Sequence, residues 1–225
     1  MKLTGSAASD YAESLEDQIN EGAARNPYAA WEWGAALRSK GEYEESFQAR
    51  KLAAEKFELI GDKPRSVISE LDGAIDLAML ASQNSDKGAV SQARSALEIA
   101  IAKTPKIESR DVQLLQHIIA KEGEARIALA SLLWETPGEK QAAEKELGEC
   151  CIRLDQLDAD DQGRLKDVKK AQTKGSLPGF SIDNSIMNAG EISCSRFKNE
   201  KFLNESLGWS DGLQAKAIKL QKLRK

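Results

Sequence analysis

The sequence is poor in aromatic residues, proline and histidine. Aromatic side chains make up 5% of the 225 residues, and the chain has 5 prolines and 1 histidine. Ala, Leu, Glu, Lys, Gln and Arg are abundant instead, and these residues lose least free energy in a helix. A chain of this length with 41% hydrophobic residues buries a core without the help of metals or disulfides. The composition therefore predicts an all-α fold.

Several function classes lack their usual signals. The net charge of -4 does not provide the positive field that nucleic-acid binding uses, and no run of 18 apolar residues predicts a spanning helix. The single histidine, His117, has no second histidine four residues away, and no GxSxG, P-loop or GxGxxG pattern occurs. We therefore expect no nucleic-acid partner, no transmembrane segment, no metal or cofactor and no enzymatic activity, with His117 in a structural role.

The three cysteines are Cys150, Cys151 and Cys194. An odd number without a CxxC spacing predicts neither a zinc site nor a disulfide framework. In a helix the side chains of Cys150 and Cys151 point about 100° apart. We expect buried, hydrophobic side chains here rather than reactive thiols.

Proline and glycine divide the chain into helices. Pro27, Pro64, Pro105 and Pro137 are spaced by 37, 41 and 32 residues, and the segments between them carry apolar residues at three-and-four spacing. Asn26-Pro27 is a helix start and Lys40-Gly41 a helix stop. The predicted helices are 10–21, 27–40, 43–60, 64–80, 89–103, 109–133 with a break near Gly123, 140–154, 164–174, 199–207 and 212 to the end. We expect an acidic N-terminal helix in residues 1–25, a helical repeat domain in 26–174 and an irregular extension with a basic C-terminal helix in 175–225.

One stretch follows the pattern of a known repeat. Small, bulky and turn residues recur in the order that closely packed helix hairpins need. The sequence around Gly88 resembles the tetratricopeptide-repeat (TPR) family best, and the stretches around Gly41 and Gly138 resemble it more weakly. The matching residues around Gly88 are Leu77, Leu80, Ala81, Ala93, Leu97, Ala100 and Pro105. The resemblance implies an α-α superhelix of antiparallel hairpins.

The C-terminal tail has a resemblance of its own. Cys194, the Arg196-Phe197-Lys198 step and Trp209 are similar to the tail of TPR proteins found in the chloroplasts of plants and algae. That resemblance implies a chloroplast protein concerned with photosynthetic complexes, with the thylakoid lumen as one compartment; without it we expect a cytoplasmic protein. No targeting segment follows Met1, so either the chain acts where it is made or Met1 is not its natural start.

The TPR resemblance also implies a protein-binding concave face. Its positions fall on Tyr28, Trp31, Ala35, Arg38, Ile75, Ala78, Ser82, Ala128, Leu132 and Glu135. This lining is apolar and lacks the basic clamp that holds acidic tails, so we expect a hydrophobic helix or an extended segment as the ligand. Trp31 either lines this face or packs against the N-terminal helix. The basic last helix is a solvated cap or a surface for an anionic partner, including a membrane surface.

The leading hypothesis for function is a non-catalytic protein-interaction module, acting as an adaptor or assembly factor. The alternative is a permanent structural subunit of a large, photosystem-type complex, held through residues 175–225. The first predicts transient complexes through the concave face, and the second predicts co-purification that survives high salt.

Overall fold

The computed structural model describes residues 26–84, 87–109, 111–173 and 193–221, and these residues form helices without any strand. The predicted all-α class is therefore confirmed. The predicted helix 10–21, most of the predicted loop after residue 174 and the last four residues lie outside this range. The helices are α1 (Pro27–Lys40), α2 (Tyr43–Leu59), α3 (Lys63–Asn84), α4 (Lys87–Lys103), α5 (Val112–Glu135), α6 (Lys140–Thr173) and α7 (Asp211–Gln221). A 3-10 turn (Cys194–Lys198) and a π turn (Phe202–Ser206) precede α7.

The ends of α1 follow the local sequence signals. The Asn26 side chain accepts a hydrogen bond from the Tyr28 backbone N–H at 3.0 Å, with Pro27 in the first helical position. Gly41 takes φ 85°, a left-handed conformation, and its backbone N–H donates to the Arg38 carbonyl at 3.0 Å. This two-residue turn reverses the chain and packs α2 against α1. The predicted start and stop of α1 are confirmed.

Helix α3 lies at the centre of the fold. It packs against α2, α4 and α5, while α5 packs in turn against α6. Small residues on α3 and α5 are buried in the core, which permits close approach of neighbouring helices. They are Ala74, Ala78, Ala81, Ala125, Ala128 and Ala130, all within one continuous hydrophobic core.

Three details differ from the sequence-based expectations. The TPR resemblance implies a turn between helices at Gly88, but this residue lies in the first turn of α4. Helix α5 continues through Gly123 without a break. This glycine faces Leu154 of α6, and its lack of a side chain permits the close approach of the two helices. Helix α6 is a single helix rather than two, because no residue between 154 and 164 interrupts its backbone.

The C-terminal extension, here residues 193–221, folds back on the helix stack. Helix α7 packs against α3 and α5, and the 3-10 turn packs against α6. A disulfide joins Cys151 of α6 to Cys194, so the expectation of no disulfide is wrong. Cys150 lies outside this disulfide and is buried, with its Sγ donating to the Gly123 carbonyl at 3.3 Å. The two adjacent cysteines diverge because they lie on different faces of α6.

Two helical glycines provide a test of the α5–α6 contact. A Cβ at Gly123 would lie 2.6 Å from a Leu154 methyl carbon, whereas a Cβ at Gly148 meets nothing within 4 Å. We expect Gly148→Ala to raise the free energy of unfolding by about 0.5 to 1 kcal/mol through helix propensity. Gly123→Ala should lower it, because overpacking a buried contact costs about 1 to 3 kcal/mol. Urea denaturation of both variants measures the difference, and equal stabilisation by the two would contradict this contact.

Candidate functional site

The predicted concave-face residues of α3 and α5 lie on one surface, called here the inner wall. It consists of Ile75, Ala78 and Ser82 on α3 and Ala128, Leu132 and Glu135 on α5. The first five are buried, and Glu135 is exposed. They lie beneath the C-terminal extension, since α7 packs against both helices and its apolar side chains share their core. In this structure the chain itself covers the inner wall.

Close backbone contact seats the extension on α3. The Ser210 backbone N–H donates to the Met79 sulfur at 3.3 Å, and the hydroxyls of Ser210 and Ser82 are hydrogen bonded at 3.1 Å. A Cβ at Gly212 would lie 2.7 Å from the Ser82 carbonyl oxygen. Position 212 therefore accepts only glycine at this distance.

Two further contacts join the extension to α5. The Trp209 indole N–H donates to Glu124 Oε1 at 2.8 Å, and this indole is buried. Near the other end, Lys219 donates to Glu135 at 2.9 Å, and this hydrogen bond lowers the pKa of Glu135. The extension is thus held along α5 by a buried polar contact and an exposed ion pair.

The predicted residues on α1 have a different environment. Tyr28 and Ala35 are exposed, and the Tyr28 ring contacts Phe57 edge-on, with a centroid distance of 5.1 Å. Trp31 is half-buried, and its indole N–H donates to Asp72 at 3.2 Å. Arg38 is buried among carboxylates. The α1 residues therefore do not continue the apolar inner wall.

A chain of buried charges runs from α1 to the extension. Arg38 donates to Asp76 Oδ1 at 2.5 Å and lies 3.4 Å from Asp72. Asp72 lies 3.0 Å from the Lys121 ammonium, which in turn donates to Glu124 at 2.7 Å. Glu124 completes the chain by accepting the Trp209 indole N–H. The network joins α1, α3, α5 and the extension.

The charges in this network balance. Arg50 of α2 is the third cation of the network, buried and 3.5 Å from Asp72, and the Ser46 hydroxyl donates to Asp76 at 2.7 Å. Three cations therefore face three carboxylates, and each carboxylate has a cationic or hydroxyl partner. Burial raises the pKa of Asp76 although Arg38 and Ser46 both contact it, and the Arg50 Nε is buried without a hydrogen-bond partner among the described residues. The network therefore organises packing through several short pairs rather than through complete pairing.

Asp72 is the carboxylate most surrounded by cations. Desolvation by burial acts to raise its pKa, but Lys121, Arg50 and Arg38 outweigh that effect and hold the pKa well below 3.8. Asp72 is therefore ionised in the folded chain at neutral pH. No sequence motif marked this residue, since its partners come from three other helices.

A second surface, the outer groove, remains open. It has a volume of about 810 Å³ between α2, α3 and α4 and is mostly apolar. Phe47, Ala54, Val67, Ala74, Ala100 and Ile107 are among its lining residues. Lysines 51, 63, 103 and 106 also line it, and Ile99 at its side is 58% exposed. The sequence analysis did not identify this groove, because α2 and α4 contribute it jointly through their packing on α3.

The described residues include no group of three or more His, Cys, Asp or Glu side chains placed to hold a metal ion. His117 is exposed on α5, beside a small cavity of about 130 Å³ under Phe197 and Phe202. None of the described helices combines the length and the apolar character that a membrane crossing needs. Comparison of the chain with protein-family models, with curated proteins and with solved structures gave no match.

Removing the Asp72 charge tests the buried network. Asp72→Asn removes the carboxylate that pairs with Arg50 and one of the two carboxylates that pair with Arg38 and with Lys121, and breaking a buried ion pair costs about 3 to 5 kcal/mol. We expect a loss of unfolding free energy in that range, measured by urea denaturation. Glu205→Gln is the control: it removes an ion pair to Lys201 that is exposed on both sides, and should change stability by less than about 0.5 kcal/mol.

The same residue predicts a pH dependence. Because the pKa of Asp72 is lower in the folded chain than in the unfolded chain, its contribution to stability is present above pH 3.8 and is lost as the pH falls further. The stability gap between wild type and Asp72→Asn should therefore narrow between neutral pH and about pH 3. A gap that stays constant over that range would contradict an ionised Asp72 in the fold.

Proposed function

We propose that this chain is a non-catalytic protein-interaction module, an adaptor or assembly factor that binds the apolar face of a partner helix. The outer groove carries this proposal. Residues of three helices line it, its surface is mainly apolar, and its volume is about 810 Å³. A helix laid in a groove between helices is a recurrent mode of peptide recognition.

The use of the C-terminal extension favours the adaptor over the permanent subunit. That alternative holds the chain in its complex through residues 175–225. The described part of this segment is instead buried against α3, α5 and α6, with Phe197, Leu203, Trp209 and Leu213 all inaccessible. With the Cys151–Cys194 disulfide formed, this segment offers little surface to a larger complex.

The resemblance of the C-terminal tail suggests the cellular compartment in which the chain acts. Chloroplast TPR proteins with similar tails suggest the assembly of photosynthetic complexes, and the thylakoid lumen is one compartment of that organelle. The Cys151–Cys194 disulfide supports an oxidising compartment, because disulfides persist there and are rare under the reducing conditions of the cytosol.

Site-specific crosslinking tests the outer groove. A photoreactive amino acid at Ile99, beside the groove, should give a discrete crosslinked protein in an extract of the source organism. The same amino acid at Ile152, which is 68% exposed on α6 outside the groove, is the matched control and should not. Excess wild-type chain should compete with this crosslink, and Ile99→Glu should compete about tenfold less well, since burying a charge in an apolar groove is unfavourable.

Identical crosslinked products from positions 99 and 152 would contradict the groove as the binding surface. So would equal competition by wild type and Ile99→Glu. Circular dichroism of the variants checks that the helices are intact, as expected for exposed positions.

A further inference from the structure

The segment on the inner wall has the pattern of a helical ligand. The buried apolar residues Leu213, Ala217 and Leu220 of α7 are spaced by 4 and 3 residues and form one stripe, and the buried Trp209 lies two residues before this helix. They lie against α3 and α5, the two helices whose concave positions the sequence analysis assigned to a ligand. The extension therefore occupies the predicted binding surface in the way that an amphipathic helix occupies a groove.

The disulfide is the one covalent crosslink between this segment and the helix stack among the described residues. Cys151 and Cys194 are 43 residues apart in sequence, and their bond anchors the start of the extension directly on α6. Without that bond, the only covalent connection of the extension to α6 is the chain between Thr173 and Ser193, and its contacts with α3 and α5 are noncovalent. A longer tether lowers the effective concentration of a linked segment at its site. Reduction should thus make the inner wall easier for another helix to occupy.

We propose that the inner wall of α3 and α5 is a second helix-binding surface, kept closed by the Cys151–Cys194 disulfide and opened by reduction. The ligand is an amphipathic helix of another protein that repeats the apolar stripe of Leu213, Ala217 and Leu220. It carries glycine at the position equivalent to Gly212, because a Cβ there meets the Ser82 carbonyl oxygen. This surface is distinct from the outer groove, and the inference does not depend on the proposed function.

The redox step needs a dithiol reductant. One reductant thiolate attacks a sulfur of the disulfide, forming a mixed disulfide and releasing the other cysteine as a thiolate. The second reductant thiol then closes on the mixed disulfide. The reductant leaves as a disulfide, and two electrons and two protons remain on Cys151 and Cys194.

Burial makes reduction and binding interdependent. Cys151 is 0% exposed and Cys194 is 2% exposed, so a reductant reaches them only after the extension has opened locally. A helix that binds the inner wall favours the open state. By reciprocity, a ligand that binds the reduced chain more tightly must also make the disulfide easier to reduce.

The chain provides its own probe for the experiment. A fluorescently labelled synthetic peptide of residues 207–221 carries the stripe and contains no cysteine. Fluorescence anisotropy should show this peptide binding the full chain about tenfold or more tightly after reduction with dithiothreitol than before. The Cys151→Ser variant should bind without reductant. A peptide with Gly212→Ala, otherwise identical, should bind neither form.

Two controls separate this result from simple loss of structure. Cys150→Ser keeps the disulfide and should retain the redox dependence, and circular dichroism should show that the reduced chain remains helical.

Equal binding to oxidised and reduced chains, or equal binding of the Gly212→Ala peptide, would overturn the proposal. So would an absence of binding to the reduced chain, because the extension would then be a permanent part of the core. Unfolding of the reduced chain would overturn it as well, since the disulfide would then serve stability alone. Crosslinking at Ile99 has no redox requirement, so each proposal can fail without the other.

Discussion

The apolar inner faces of α3 and α5 need a cover, and the rest of the structure is arranged around that need. The side chains of Leu132, Ile75 and the neighbouring alanines are apolar and form no hydrogen bonds with water. Burying a leucine or isoleucine side chain contributes about 1.5 to 3 kcal/mol, so several uncovered side chains would cost a substantial part of a domain's stability. The C-terminal extension supplies the cover with Trp209, Leu213 and Leu220. The contact between the extension and α3 and α5 therefore both completes the core and closes the predicted site.

The buried charges connect this cover to the helix stack. Glu124 is the link, since its two oxygens accept from Trp209 on the extension and from Lys121 on its own helix. Lys121 leads on to Asp72, and Asp72 to the arginines of α1 and α2. Lifting the extension would remove the indole donor and admit water to Glu124. The position of the extension and the electrostatics of the first hairpin are thus coupled through a continuous series of contacts.

Local signals predicted the helices well. The Asn26-Pro27 start, the Gly41 stop and the apolar periodicity each depend on neighbouring residues, and the structure has α1 where those signals place it. Gly123 misled the prediction, because a glycine in a helix marks either a break or a close approach, and only the position of Leu154 distinguishes them. The pairing of Cys151 with Cys194 was likewise inaccessible, since three cysteines allow three pairs and the choice depends on which face of α6 meets the extension.

The candidate site was harder to predict for a related reason. A stripe of apolar residues on a helix indicates that something covers it, but the same stripe results whether the cover is another protein or a distant part of the same chain. Ile75, Ala78, Ala128 and Leu132 carry that ambiguity, and the structure assigns the extension to them. Both kinds of cover are possible for the same surface if the internal cover is an amphipathic helix held by a reducible disulfide. Another helix can then replace it after reduction. A surface with a reversible internal occupant keeps its apolar residues out of water when no partner is present and still preserves them for binding. The outer groove has no such occupant among the described residues, so its lining must tolerate solvent. Lysine and glutamate side chains accordingly stand beside its apolar residues, with the lysine stems adding apolar surface.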